Sequence, residues 1–353
     1  MKAMAAQKQH YVPQFILRQF LCEPNGERVA VYDKHEDRTF VTSIKNIMAE
    51  RRFNDFAFDD DWMASFEPIA CRAEDLVLPA YRQVITERRL DGTPEQQAAL
   101  VFLMTFQFLR TRASRDMWAD MEQTLVDAVE SSGGRMQDVQ GWEDWQPQTE
   151  DALKRDHLTS LKESLGEFAS IIAEKDLLLA EAAPGRSFYL GDNPVALANH
   201  RDMGPYSNIG LALPGIEIYM PLASDLMLCA WCPSILAGIE EQLRSQKASS
   251  RGEALKRVMN GQMTAAQMKT AVQQIELIEE PHESLLSAFA EGRPVSSTDD
   301  NMDYYNSLQT SYASRYVVCQ QSDFDLARRF NRERPSQRTG RRLTLGGQRH
   351  RGA

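Results

Sequence analysis

The apolar positions of this chain change their spacing several times, and each change predicts an element. Ile16, Leu17, Phe20 and Leu21 recur at helical intervals behind Pro13, which suits the first turn of a helix. Arg28–Asp33 and Thr39–Thr42 alternate as a strand pair around a polar loop. Asp59-Asp60-Asp61 precedes a helical pattern from about Trp62 to Glu87. Thr93-Pro94-Glu95-Gln96 has the form of a capping box, with Pro at the first helical position. The helix it opens, through Leu100, Val101, Leu103, Met104, Phe106 and Phe108, is apolar almost all round and belongs in a core. Further helices are expected over about 115–130 and 152–179, from Thr264-Ala265-Ala266-Gln267 to about Leu277, and over 304–313. Ser187–Leu190, Ile216–Pro221, Leu226–Trp231 and Arg315–Cys319 read as strands. The order predicts an α+β fold, mainly helical, around a small antiparallel central sheet.

Composition narrows the picture. The chain has 353 residues with 42% apolar and 25% charged, the balance of a soluble globule. No apolar run is long enough to span a bilayer, and Met1–Lys8 lacks the apolar stretch of a signal peptide, so a cytoplasmic protein is expected. Five cysteines argue against a disulfide framework. Cys229 and Cys232 form a CxxC in strand-like, apolar surroundings without a second ligand pair, which predicts buried core thiols rather than zinc or redox chemistry.

Charge is unevenly distributed. Residues 328–353 carry nine arginines against one acid, a net +8, which leaves −18 of the overall −10 on residues 1–327. The first 327 residues are therefore expected to form one α+β domain. Residues 328–353 are expected to be a flexible, basic tail, poor in apolar side chains. Arg328–Arg351 is the candidate surface for nucleic acid or an acidic partner.

Four segments put polar groups where the local pattern expects apolar ones. They are His10/Gln14/Arg18, Gln107/Arg110, Asp192/Asn193 and Asn306/Gln309/Arg315. Brought together, they would offer an acid/base pair in His10 and Asp192. Gln14, Asn193, Asn306 and Gln309 have amides that read base edges. Arg18, Arg110 and Arg315 have guanidinium forks that hold phosphate, beside Gln107. The alternative is a buried structural network, since polar groups in a core need partners whatever their function.

These segments also carry a resemblance. His10-Tyr11-Val12-Pro13-Gln14-Phe15, Val31-Tyr32-Asp33, Gln107 with Arg110-Thr111, Gly191-Asp192-Asn193-Pro194-Val195, Met220-Pro221-Leu222 and Asn306/Gln309/Ala313 with Arg315-Tyr316-Val317 resemble the bacterial and fungal family called domain of unknown function 4238. They occur in the family's order over roughly residues 9–320. The chain departs at Arg112, where the family tends to have Pro, and near Phe53-Asn54, where it tends to have Tyr. The resemblance implies a shared fold and no reaction.

The chain has no GxGxxG, Walker A, HExxH or GxSxG motif. One His and one Asp, with Glu67 outside them, leave a one-metal Mg²⁺ site open and make a structural zinc site a poor fit. The functional expectation is a nucleic-acid- or nucleotide-directed phosphodiesterase, His10 serving as acid/base and Asp192 as its orienter. The alternatives are a non-catalytic ligand-binding or regulatory module, or an interaction protein acting through its basic tail.

Overall fold

The computed structural model describes residues 8–57, 63–201 and 209–341. It is an α+β fold in which helices predominate. Where one central sheet was expected, two larger sheets and two two-stranded ribbons form among the described residues. The five-stranded sheet has the order Val295–Ser296, Asp176–Glu181, Leu226–Trp231, Ile216–Ala223, Ala196–Asn199. It is antiparallel except at its edge, where Val295–Ser296 runs parallel to Asp176–Glu181. The four-stranded sheet has the order Arg38–Ser43, Arg28–Asp33, Tyr316–Val318, Leu190–Gly191, antiparallel throughout. The N-terminal Lys8–His10 pairs with Ala49–Arg51 in a separate ribbon.

Between two of its strands the chain passes from one sheet to the other within a short turn. Leu190–Gly191 ends the edge of the four-stranded sheet, and Ala196–Asn199 begins the edge of the five-stranded one. Gly191-Asp192-Asn193-Pro194 therefore starts the crossover. Helix Asp299–Tyr312 lies against both edges. Burial joins the two sheets, since one buried cluster includes Val31, Leu190 and Val318 of the first and Leu179, Leu197 and Leu228 of the second.

Local signals placed most helices and misjudged several ends. Helix Pro94–Leu109 starts at Thr93, whose hydroxyl accepts from Gln96 N at 3.2 Å. The Gln96 side chain turns to Asp91 N instead of closing the box. Helix Ala265–Glu291 does have both halves of the box, and it continues through Pro281 well past Leu277. The pattern read as one helix over 152–179 is helix Glu150–Ala173 followed by strand Asp176–Glu181. Periodicity does not separate a buried strand such as Leu177-Leu178-Leu179 from a helix end. Helix Pro233–Met259 was not anticipated. The helix expected from about Trp62 is Glu67–Glu87, preceded by strand Met63–Ser65, and Asp59–Asp61 lies outside the described residues.

The expected boundary at 327/328 falls inside helix Asp325–Glu333. Phe324 and Ala327 pack with Tyr32, Tyr189 and Val317. Beyond them the anchors are polar, which is why an apolar count missed them. Lys34, fully buried, donates to Thr310 O at 2.6 Å, Ala313 O at 2.5 Å and Gln337 O at 2.9 Å. Asn331 and Arg338 both donate to Lys34 O, at 3.0 and 2.8 Å. One ammonium thus closes the end of helix Asp299–Tyr312 and fastens the C-terminal segment to it. Burial lowers the Lys34 ammonium to about 8, while the Asp192 charge pulls the other way. Arg342, Arg349 and Arg351 lie outside the described residues.

Lys34→Met leaves those carbonyls without their donor and is expected to cost about 2–4 kcal/mol in urea unfolding. Trypsin should then cut at Arg328–Arg341 faster than in the parent at equal fraction folded. Unchanged cleavage would show that Lys34 does not hold this segment.

Candidate functional site

The residues nominated from sequence form two groups joined by one hydrogen-bonded bridge. In the first, the His10 ring lies between Ile44 O, 2.9 Å from Nε2, and the Gln14 amide, 3.4 Å from Nδ1. The carbonyl requires a donor, so Nε2 carries the proton and Nδ1 accepts from Gln14. Burial lowers the His10 pKa against the bond to Ile44 and the charges of Glu74 and Glu67. Gln107 and Arg110, one turn apart on helix Pro94–Leu109, clip the backbone on either side of this position. Gln107 Nε2 donates to Tyr11 O at 2.9 Å and Arg110 Nη2 to His10 O at 2.7 Å. Arg110 also pairs with Glu74 at 2.7 Å and stacks on Phe106. Arg18 is exposed, away from this group's hydrogen bonds.

In the second group, Asn306 Oδ1 accepts from Tyr189 N at 2.7 Å and its Nδ2 donates to Ser187 O at 3.0 Å. One turn on, Gln309 Oε1 accepts from Gly191 N at 3.0 Å and its Nε2 donates to Pro194 O at 2.8 Å. The two amides grip the strand as a neighbouring strand would. Gly191 leaves room for this close approach, because a Cβ there would stand 3.0 Å from Gln309 O and 3.2 Å from Ala313 Cβ, tighter than an ordinary contact. Asp192 is buried and accepts three backbone N–H groups, from Ser314 at 2.7 Å, Arg315 at 2.9 Å and Tyr316 at 3.0 Å. Burial pushes its carboxyl up, and those donors with Lys34 oppose the push. The Arg315 guanidinium turns away to Asp33 at 2.8 Å and Glu36 at 2.9 Å.

The bridge runs from Thr111 to Asn193 and on to Tyr312. Thr111 donates to Asn193 Oδ1 at 3.1 Å, and Asn193 Nδ2 donates to Tyr312 O at 3.4 Å. His10 and Asp192 share no hydrogen bond, so the expected acid/base pair is not assembled. The amides of Asn306 and Gln309 are buried, and each is bonded to backbone through both its oxygen and its nitrogen, away from any base. Among the described residues no three His, Cys, Asp or Glu side chains converge on a metal-sized space. Glu67, the outside candidate, is bound by Asn54 at 2.5 Å. The CxxC departs from a pair of core thiols. Cys229 is buried in its strand, whereas Cys232 is partly exposed as the N-cap of helix Pro233–Met259. Burial raises the Cys232 thiol, but hydrogen bonds from Ser234 and from the backbone outweigh it and bring the thiol below its ordinary range.

Unengaged chemistry lies on the opposite side of helix Asp299–Tyr312. A cavity of about 320 Å³ separates that helix from helix Asp325–Glu333, lined by Tyr304, Ser307, Ser311, Phe330, Arg329, Arg334 and Arg341, with Glu333 among them. None of the ten nominated residues lines it. Among the described residues, Arg329, Arg334 and Arg341 have no carboxylate at ion-pair distance, whereas Arg88, Arg110, Arg186 and Arg315 are each paired. Arg341 stacks on Tyr312 and donates to Ser311 Oγ at 3.0 Å, and Arg334 stacks on Phe330. At the wall, Tyr304 Oη is 3.1 Å from His200 Nε2 and donates to Glu217 Oε2 at 3.5 Å. Tyr219 donates to the same Glu217 oxygen at 2.7 Å, and burial raises the Glu217 carboxyl above its usual range.

A family model described as a protein of unknown function, DUF4238, matches residues 8–323. The chain belongs to the DUF4238 family. No curated protein and no solved structure matches it. In this DUF4238 chain the matched stretch holds both nominated groups and one cavity wall, Tyr304 to Ser311, while the three arginines follow it.

The cavity escaped sequence reading for two reasons. Tyr304, Ser307 and Ser311 share a helical face that is ordinary in isolation, and Arg329, Arg334 and Arg341 were assigned to an unstructured tail. Glu217 did leave a trace, as a charge inside the apolar strand Ile216–Ala223.

Gln309→Leu leaves Gly191 N and Pro194 O buried and unpaired. It is expected to destabilise the protein by about 2–4 kcal/mol in urea unfolding. A loss below about 0.5 kcal/mol would remove the structural role of this amide.

Proposed function

We propose that this protein binds a phosphate-bearing ligand of nucleotide size in the cavity between helices Asp299–Tyr312 and Asp325–Glu333. The observation that carries the reading is the set of three guanidinium groups, without carboxylate partners among the described residues, around one space of about 320 Å³. Guanidinium forks match phosphate oxygens in bidentate fashion, and a volume of this order suits a small ligand. The hydroxyls of Tyr304 and Ser307 add polar contacts, and Phe330 and Leu326 offer an apolar surface for a base. This keeps the nucleotide-directed expectation and moves its site away from His10 and Asp192. The ligand-binding alternative is favoured over tail-only interaction, because Arg329, Arg334 and Arg341 are held against the folded body.

Hydrolysis of such a ligand is the second reading. It is favoured by Tyr304, whose hydroxyl donates to the partly buried Glu217 carboxyl and lies within hydrogen-bond distance of the His200 ring at the cavity wall. The phosphodiesterase expectation then rests on His200 and Glu217.

Calorimetric titration with nucleoside mono- and triphosphates and cyclic dinucleotides tests binding. Arg329→Gln and Arg341→Gln should each weaken it about tenfold or more, from the loss of a charged hydrogen bond, and should flatten its salt dependence. Absence of saturable binding by any of these probes overturns the proposal. Product analysis with and without Mg²⁺ or Mn²⁺ tests hydrolysis. Turnover is expected to fall in His200→Ala and Glu217→Gln, and its persistence in both would reject the second reading.

A further inference from the structure

A second cavity, of about 300 Å³, lies where the loop after helix Glu67–Glu87 meets the end of helix Ala265–Glu291 and the start of strand Asp176–Glu181. Its walls are tied together by backbone. Leu90 N donates to Gly292 O at 2.8 Å, and the Arg89 guanidinium donates to Glu291 O at 2.9 Å. Gly292, at φ +66°, passes so close to Leu90 O that a Cβ would stand 2.1 Å from it.

One polar group of this wall, the Gln96 amide nitrogen, is buried without a partner, and Lys175 and Asp176 stand beside it without an ion pair among the described residues. Lys175 is only 8% exposed, and among the described residues no carboxylate lies within ion-pair distance of its ammonium. Gln96 is 4% exposed, and its Nε2 has no acceptor although its Oε1 is bound to Asp91 N at 2.9 Å. Among the described residues Asp176 has no cation at ion-pair distance, and burial together with the charge of Glu240 pushes its carboxyl above the ordinary range. The other acids at the cavity are engaged, Asp91 by Thr93 at 2.8 Å and Glu291 by Arg293 at 2.6 Å. A buried amide donor without a partner is costly, and such a group calls for a missing ligand.

The charges select the ligand. The wall carries Arg89 and Lys175 against Asp91, Asp176 and Glu291, so a dianion such as phosphate meets more negative than positive charge. A simple cation has no reason to lie beside Lys175. Leu177 and Phe289 give the same space an apolar side. We propose that this cavity binds a small zwitterion of the amino-acid class. Its carboxylate faces Lys175 and Gln96, its ammonium faces Asp176, and its apolar side chain packs on Leu177 and Phe289. The site is separate from the arginine cavity and independent of the function proposed there.

Calorimetry and thermal shift with L-leucine and L-phenylalanine test the proposal on the full chain. 4-Methylpentanoate, which lacks the amine, and leucinamide, which lacks the carboxylate, serve as the paired probes. The amino acids are expected to bind saturably and raise the melting temperature, and each analogue to bind at least about tenfold more weakly. Lys175→Met and Asp176→Asn should each reduce affinity by a similar factor, while Arg341→Gln leaves it unchanged. Lys175→Met removes an unpaired buried charge without shortening the side chain, so its unliganded melting temperature is not expected to fall. Asp176→Asn supplies the second reading should it do so. Absence of saturable binding by any proteinogenic amino acid, or parental affinity in both variants, overturns the proposal.

Discussion

The fold depends on how the chain crosses from one sheet to the other at Gly191–Pro194. A strand edge leaves N–H and C=O groups without a ladder, and here that edge is buried. Asn306 and Gln309 supply the missing ladder from a helix, each giving one acceptor and one donor to the passing backbone. Asp192 returns the favour by collecting three N–H groups of the chain that leaves the same helix. Crossover, helix and returning strand therefore specify one another, and none of the three is satisfied alone.

That reciprocity explains why the motif residues are poor candidates for chemistry. A buried carboxamide whose oxygen and nitrogen both hold backbone is committed to the fold and turned away from any ligand in solvent. A carboxylate with three backbone donors is an anchor. His10, Gln107 and Arg110 repeat the pattern at the N-terminus, where two side chains of a core helix hold the carbonyls of residues 10 and 11. The family pattern in this chain is thus a description of how irregular backbone is buried, and the resemblance and the fold have the same physical origin.

Groups free to act are found where the core ends. Lys34 fixes the C-terminal segment against helix Asp299–Tyr312, and this brings three arginines, without carboxylate partners among the described residues, opposite the helix face that Asn306 and Gln309 do not use. The same helix thus has a structural face and an open face. On the open side Tyr304 links the arginine cavity to His200 and Glu217. The second cavity shares no lining residue with the first and differs in charge, mixed where the first is cationic.

The sequence by itself determined the α+β class, most helix positions, the buried helix Pro94–Leu109 and the identity of the residues that grip the crossover. Those follow from local physics: apolar spacing, caps and turn residues act over a few positions, and polar residues in apolar surroundings stand out. Tertiary structure decided what those polar residues touch. Whether Asn306 meets a ligand or Tyr189 N depends on a partner 117 positions away. It also decided the fate of residues 328–341, since composition registers few apolar side chains there but cannot register that Lys34 holds them through backbone carbonyls. Both cavities are products of packing between distant segments, so their lining had no local signature beyond a charge in a strand and a run of arginines.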